Sequence, residues 1–337
     1  SYFARIISIM SWKEHSVLVT GGAGFIGSHL VRGLLGLGVK KIIVVDSFEY
    51  GVEENLPEDN RIVRIKHNIG IDSISALEGS IKECTHVFHL AAQKHNQSLA
   101  TPHAVYQTNI IGTADLFELA GKCGIKKIIF SSSLYSYGRT ALPPMREDDC
   151  VNPNTIYGIS KVAGEQLLAY YANKYKYDCV SLRFFFVYGP RQFPGMGYKS
   201  VIVKNFERLA QGKQPIIFGD GNQSLDYVYV DDVINALIKV AEGQVNSEIF
   251  NVGSGEATSV SSLITFMKKI AKSTAEIDYG PADNTQGTIR VSDIKKIEKV
   301  LHWRPMVTLE DGLKRTFAWI KENEHEKNNS FRYHTLL

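Results

Sequence analysis

The sequence predicts an α/β fold: a doubly wound parallel sheet with a smaller mixed lobe at the C-terminal end. Three observations predict it. Strand-like and helix-like patterns alternate from residue 16 to about residue 185. The first apolar run ends in a glycine-rich turn, TGGAGFIGS at 20–28, that leads straight into an apolar helix. Beyond residue 190 the alternation gives way to a loop and then to helices with short strands between them. Such alternation implies right-handed crossovers with helices on both sheet faces. Ligands then gather at the carboxyl ends of the strands.

Strands are expected at 16–20, 41–46, 62–67, 86–90, 127–132 and 179–185, and helices at 25–36, 103–122 and 157–175. Pro190, Pro194, Gly195 and Gly197 mark a long loop, and helices follow at 199–211, 231–242, 259–271 and 309–323. The chain thus divides into a Rossmann-type domain over 15–185, to which later segments return, and a mainly substrate-binding lobe over 186–323. Residues 1–14 and 324–337 are terminal extensions. The tail from Glu322 is polar, a composition that favours fraying.

Composition narrows the function classes. A chain of 337 residues, 44% apolar and 22% charged, buries a normal core. A net charge of +3 with no basic stripe argues against a nucleic-acid partner. Cys84, Cys123, Cys150 and Cys179 are scattered and form no CxxC pair, which predicts reduced thiols, a cytoplasmic setting and no metal site. No apolar stretch reaches transmembrane length. The nine residues before Met10 lack the features of a signal peptide.

The turn carries glycines at Gly21, Gly24 and Gly27, in a GxxGxxG spacing. Glycines let the backbone approach a pyrophosphate, and the following helix N-terminus offers free N–H groups and a positive dipole end. A glycine turn also merely joins strands to helices, so the next strand matters. KIIVVD at 41–46 ends in Asp46, nineteen residues past Gly27. A carboxylate there accepts both hydroxyls of an adenosine ribose and repels a 2′-phosphate. No Arg or Lys follows within five residues, so the cofactor is read as NAD rather than NADP.

Tyr157 and Lys161 stand at i and i+4, one above the other on a helix face. A tyrosine is a poor base at neutral pH, and a neighbouring ammonium favours its phenolate. Together they make a general base that returns its proton. FSSSLYSYG at 130–138 follows a strand-like run, and Ser133 sits twenty-four residues before Tyr157. Its hydroxyl is placed to hold the oxygen that Tyr157 deprotonates.

These pieces, with HLAAQ at 89–93, Asn109, RFFFVYGPRQ at 183–192, FGDG at 218–221 and DYVYVDD at 226–232, occur in an order that resembles the extended short-chain dehydrogenase/reductases. Within them the chain is most similar to the NAD-dependent nucleotide-sugar epimerase/dehydratase group, over about residues 15 to 320. The resemblance implies site residues. Gly21, Gly24, Phe25, Ile26 and Gly27 would hold the pyrophosphate and Asp46 the ribose. Leu90, Ala91, Ala92 and Lys94 would line the cofactor between adenine and nicotinamide, where Asn68, Ile69 and Ser131 also count as contacts. Asn109 would buttress the sheet beside the cofactor, and Phe184 and Phe185 would pass beside the nicotinamide. Ser133, Tyr157 and Lys161 would be the catalytic set. The resemblance also implies a nucleotide-diphosphate sugar substrate and a homodimer, paired through the helices at 103–122 and 157–175. Leu116, Leu119, Leu167, Leu168 and Tyr171 are apolar beyond what one buried stripe needs.

The departures shape the expected reaction. Many relatives have an asparagine where this chain has Phe186, and arginines where it has Leu225 and Thr285, all serving the sugar diphosphate. Arg191, Lys199 and Arg290 remain as candidate anion ligands, with Phe218 as a further substrate contact. Dehydratase relatives carry Asp-Glu after the catalytic hydroxyl residue, and decarboxylating ones usually keep the glutamate. This chain has Leu134 and Tyr135. A reversible 4-oxidation remains the leading expectation, a lyase the alternative, and a non-catalytic NAD-binding protein a third reading.

Overall fold

The computed structural model describes residues 11–138, 142–192, 199–282 and 285–334. Pro194, Gly195 and Gly197 lie outside the described residues. Seven parallel strands make the main sheet. They are β1 (Ser16–Thr20), β2 (Lys41–Asp46), β3 (Ile62–Lys66), β4 (His86–His89), β5 (Lys127–Ser133), β6 (Asp178–Phe184) and a last strand, Glu248–Val252. Their spatial order is Glu248–Val252, β6, β5, β4, β1, β2, β3. The order reverses between β4 and β1, and the crevice at that switch point is where such sheets bind ligands.

Alternate side chains explain why the strands are apolar throughout. Val17, Val19, Ile42, Val44, Phe88, Ile129, Val180 and Leu182 pack on one face. Leu18, Ile43, Val45, Val87, Ile128 and Phe130 pack on the other. Both faces are covered, as a parallel sheet requires. Each fully buried aliphatic side chain contributes roughly 1.5–3 kcal/mol against chain entropy.

Several expectations are refined. The helix expected at 103–122 is three pieces: Pro102–Val105, a π-helical stretch Tyr106–Gly112, and Thr113–Lys122. Close packing marks the stretch. A Cβ on Gly112 would stand 2.5 Å from the Gly70 nitrogen, and one on Gly70 would stand 2.2 Å from the Gln107 carbonyl oxygen. The last helix runs on to His334, and Lys295–Leu301 adds a helix that the sequence pattern did not suggest. Leu116 and Leu168 pack into the core beneath the sheet instead of lying spare on the surface. Tyr106, Ile111, Ile159 and Tyr170 are the large apolar side chains those helices expose. No helix among the described residues is long and apolar enough to cross a membrane.

Short strands build the second lobe. Phe186–Tyr188 pairs with Tyr227–Tyr229, and Ser224–Leu225 pairs with both Ile289–Arg290 and Thr258–Ser259. Asp226, fully buried, ties this lobe to the edge of the main sheet. Its carboxylate accepts hydrogen bonds from the N–H and hydroxyl of Ser254, the N–H of Gly255, and the N–H and hydroxyl of Ser292. Asp226→Ala leaves the buried N–H and hydroxyl of Ser292 without their acceptor, and each orphaned group costs about 1–3 kcal/mol. Urea unfolding is expected to show a loss of at least ~3 kcal/mol; a midpoint equal to the parent's would disprove this role.

Candidate active site

The glycine turn is built for close approach. Gly21 has φ +67°, and a Cβ there would meet the Ala91 nitrogen at 2.8 Å. A Cβ on Gly27 would stand 2.1 Å from the Gly21 carbonyl oxygen. Gly24 caps the helix Phe25–Gly36 with no side chain folded over its end. The amides of Phe25, Ile26 and Gly27 therefore open the helix at the crevice, the arrangement that receives a phosphate anion. Leu90 and Ala91 donate their N–H groups to the Thr20 hydroxyl, each at 3.2 Å, which docks the end of β4 onto the end of β1.

Asp46, at the end of β2, is buried and accepts from the N–H groups of Ala23 at 2.9 Å and Phe48 at 3.0 Å. Burial pushes its carboxyl above the usual range, and these N–H groups pull it back. Two donors leave acceptor sites on the carboxylate for a diol. This cradle, which a Cβ would fill, and the acid across from it fit a dinucleotide. Asn68 is half-buried beyond β3, whereas the Ile69 side chain is buried in the core. Ala92 is half-buried and Lys94 exposed. Asn109 is spent on the protein: it accepts from the Gln93 N–H at 2.8 Å and donates to the Gln93 carbonyl at 2.9 Å and the Ser160 hydroxyl at 3.1 Å. It clips the loop after β4 to the helix Ile156–Tyr175, a buttress rather than a free cofactor ligand.

That helix begins at Thr155, whose side chain accepts from the Gly158 N–H. It brings Tyr157 and Lys161 to the end of β5. The Tyr157 hydroxyl lies near enough to Ser133 to feel its hydroxyl. Burial and the neighbouring Tyr135 push the Tyr157 phenol up, and Ser133 lowers it. Lys161 is 2% exposed and donates to the Ser131 carbonyl at 2.7 Å, with its ammonium 5.5 Å from the centre of the Tyr157 ring. Burial brings its amine down to about 7, against the pull of Glu165. Ser133, Tyr157 and Lys161 are thus brought together as the sequence spacing predicts. Phe184 ends β6 and Phe185 follows it, both buried.

The remaining candidates do not converge on one point. Phe186 is half-buried against Tyr227. Leu225 is buried in the core, and Arg290 lies directly across from it on the paired strand. The Arg290 guanidinium sits 5.4 Å over the Tyr135 ring, and that ring is 5.8 Å from the Tyr157 ring. Lys199 is paired with Glu207 at 2.5 Å. Phe218 carries Lys204 over its ring at 4.4 Å. Arg191 has φ +63° and lies by the cofactor helix, where the preceding carbonyl, of Pro190, meets His29 at 2.9 Å. Sequence reasoning missed His95, which stacks on Tyr135 at 4.5 Å, and the buried pair of Glu165 with Arg183. Glu165 stands one helical turn past Lys161 and Arg183 opens the RFFFVYGPRQ run, but nothing local in the sequence pairs them.

A glycine-cradled helix, a strand-end acid and a serine–tyrosine–lysine set define an NAD-dependent enzyme of the extended short-chain dehydrogenase/reductase class. Residues 17–253 match the profile of the NAD dependent epimerase/dehydratase family, and the chain belongs to that family. The UDP-glucose 4-epimerase of Mycolicibacterium smegmatis is 36% identical over 311 residues, 90% of this chain and 98% of that one. The crystal structure of a UDP-glucose 4-epimerase from Thermotoga maritima, with UDP-glucose, superposes with a TM-score of 0.84 at 36% identity, covering 92% of this chain and 99% of that chain. A UDP-N-acetyl-alpha-D-glucosaminuronate decarboxylase of Bacillus cytotoxicus is 32% identical over 326 residues, 92% of this chain and 98% of that one.

Gly27→Ala forces a methyl group onto the Gly21 carbonyl and is expected to abolish retention of NAD. Asp46→Arg is expected to weaken NAD or shift preference to NADP. Nucleotide released by heat from each purified variant, quantified by chromatography, checks both; parental NAD content in either variant contradicts the cradle.

Proposed function

We propose that this protein is a nucleotide-sugar 4-epimerase acting on a UDP-linked sugar. The observation that carries the reading is the residue pair after Ser133. Leu134 is buried in an apolar cluster, and Tyr135 is stacked on His95. Neither supplies the second carboxylate that elimination or decarboxylation would use. What remains is a single proton relay. NAD, held by the glycine turn and Asp46, would supply a hydride acceptor and donor for C4. Ser133 holds the 4-oxygen, and Tyr157 takes its proton and gives it back. Lys161 favours the phenolate form of Tyr157, and the paired hydroxyls hold the 4-keto sugar while it turns over. The helix Phe25–Gly36 would receive the cofactor pyrophosphate, and Asp46 its ribose.

Arg290 is the cation best placed for the anionic part of the substrate. It is half-buried, faces Tyr135 and has no ion pair among the described residues. Phe186 and Phe218 then offer apolar surface, Arg191 stands on the cofactor side, and Lys199 contributes only by leaving Glu207. We further propose a cytoplasmic homodimer, supported by four free cysteines and by the exposed Tyr106, Ile111, Ile159 and Tyr170 on adjoining helices.

Incubation with a panel of UDP-sugars is expected to yield an epimer of unchanged mass. A product lighter by water or carbon dioxide would make the protein a lyase instead. Tyr157→Phe is expected to lower the rate by ~10²–10⁴ while substrate still binds; a rate within a few-fold of the parent refutes the relay. Light scattering at micromolar concentration is expected to give twice the chain mass, and a monomer mass would rule out the dimer.

A further inference from the structure

We propose that Glu165 is a positioning residue for Lys161: its carboxylate, fixed by Arg183 and Ser132 one helical turn past the lysine, is the held negative charge that the buried ammonium faces. The inference rests on the reading that Tyr157 and Lys161 are the proton relay. It follows from where the carboxylate stands. Glu165 lies at i+4 from Lys161 on the helix Ile156–Tyr175, on the same buried stripe. Its two oxygens take a forked pair of hydrogen bonds from Arg183 on β6, at 2.9 and 2.8 Å, and one from the Ser132 hydroxyl at 2.5 Å. Both side chains of the pair are nearly inaccessible, at 3% and 6% exposure. Such a fork fixes direction as well as charge.

The surroundings make that charge count. Lys161 is enclosed by the Phe130 ring at 4.9 Å, the Ser131 carbonyl and Tyr157. The charged and titratable groups facing it are Tyr157 and Glu165 on its own helix, His89 from β4, and Arg183 from β6 behind Glu165. His89 is neutral, held well below its ordinary value by burial and by Lys161 itself, between the hydroxyls of Thr20 and Thr113. Glu165 is therefore the one anion in this set that favours the ammonium, against the burial that disfavours it. Arg183 is held in turn by more than Glu165. Its guanidinium lies 4.6 Å over the Tyr137 ring and reaches the Glu147 carbonyl, and Tyr137 donates to Asn251 of the last strand at 2.6 Å. The Glu165 carboxylate is thus held directly by β5 and β6, and through Arg183 and Tyr137 it is tied to the last strand as well.

The test reads Lys161 without substrate. Protein labelled with ¹³C-lysine is titrated by NMR, with the Lys161 Cε resonance assigned by its loss in Lys161→Arg. In Glu165→Gln the midpoint of Lys161 is expected to fall by about one pH unit, a tenfold shift of the amine–ammonium ratio. Glu165→Asp keeps the charge and is expected to return the midpoint toward the parent's. If Glu165→Gln fails to fold, the double variant Glu165→Gln, Arg183→Met removes both buried charges together and is expected to show a smaller fall in the same direction. In the folded variants kcat at neutral pH is expected to drop about fivefold, with KM little changed and the alkaline limb of the kcat profile moved toward acid. An unmoved midpoint overturns the proposal, as does a kcat and KM loss of equal size at every pH, the signature of a merely structural residue. A parent that titrates as expected but epimerises nothing overturns the functional reading alone.

Discussion

The site depends on how closely one helix approaches one strand end. Two glycines permit it. A Cβ on Gly164 would stand 2.4 Å from the Phe130 ring, and one on Gly158 would stand 2.4 Å from the Tyr135 carbonyl oxygen. With those positions bare, the helix Ile156–Tyr175 lies directly on the end of β5, and Lys161 reaches the Ser131 carbonyl. Tyr157, one turn earlier, is then set beside Ser133 with no freedom left to search for it. Any side chain at either glycine would lift the helix and separate the hydroxyls. Positioning to within a fraction of an ångström is what such proton relays require, and here it is secured by what two residues lack.

The same helix joins two polar systems that otherwise sit apart. On one side Asn109 fastens it, through Ser160, to the loop after β4 that faces the cofactor cradle. On the other Glu165 fastens it to Arg183 and so to the strands nearest the second lobe. The glycine turn, the Ser133–Tyr157–Lys161 set and the second lobe are thus referred to a single element. The buried charge this requires is costly to leave unpaired, which is why Arg183 and Glu165 meet in a fork rather than at one point.

Much of this was legible in the sequence, for a physical reason. The glycine turn, Asp46 and the Tyr157–Lys161 pair each express themselves over a few residues, through φ, strand ends and helical periodicity. The apolar strands were equally plain because both sheet faces are covered. What escaped notice was made by contacts distant in sequence. The π-helical stretch at 106–112 follows from packing on Gly70, and no local propensity announces it. Arg183 reads as one more residue of an apolar strand until β6 is laid beside the helix. Leu116 and Leu168 looked like surplus surface because periodicity gives the width of a stripe but not how much of it the sheet will cover. Arg290 was visible as a cation, but its neighbour could be known only from strand register.

That register has a consequence for how such a site diverges. Arg290 and Leu225 are partners on adjacent parallel strands, and such partners stand about 4.8 Å apart with side chains on the same face. A cation on either strand would therefore reach nearly the same ground without any backbone change, and a guanidinium is long enough to absorb the difference. Lineages are free to exchange the two positions by ordinary point substitutions, through an intermediate that carries both arginines. Alignment column by column would score such an exchange as two unrelated changes, although a charge on that face would have been kept throughout.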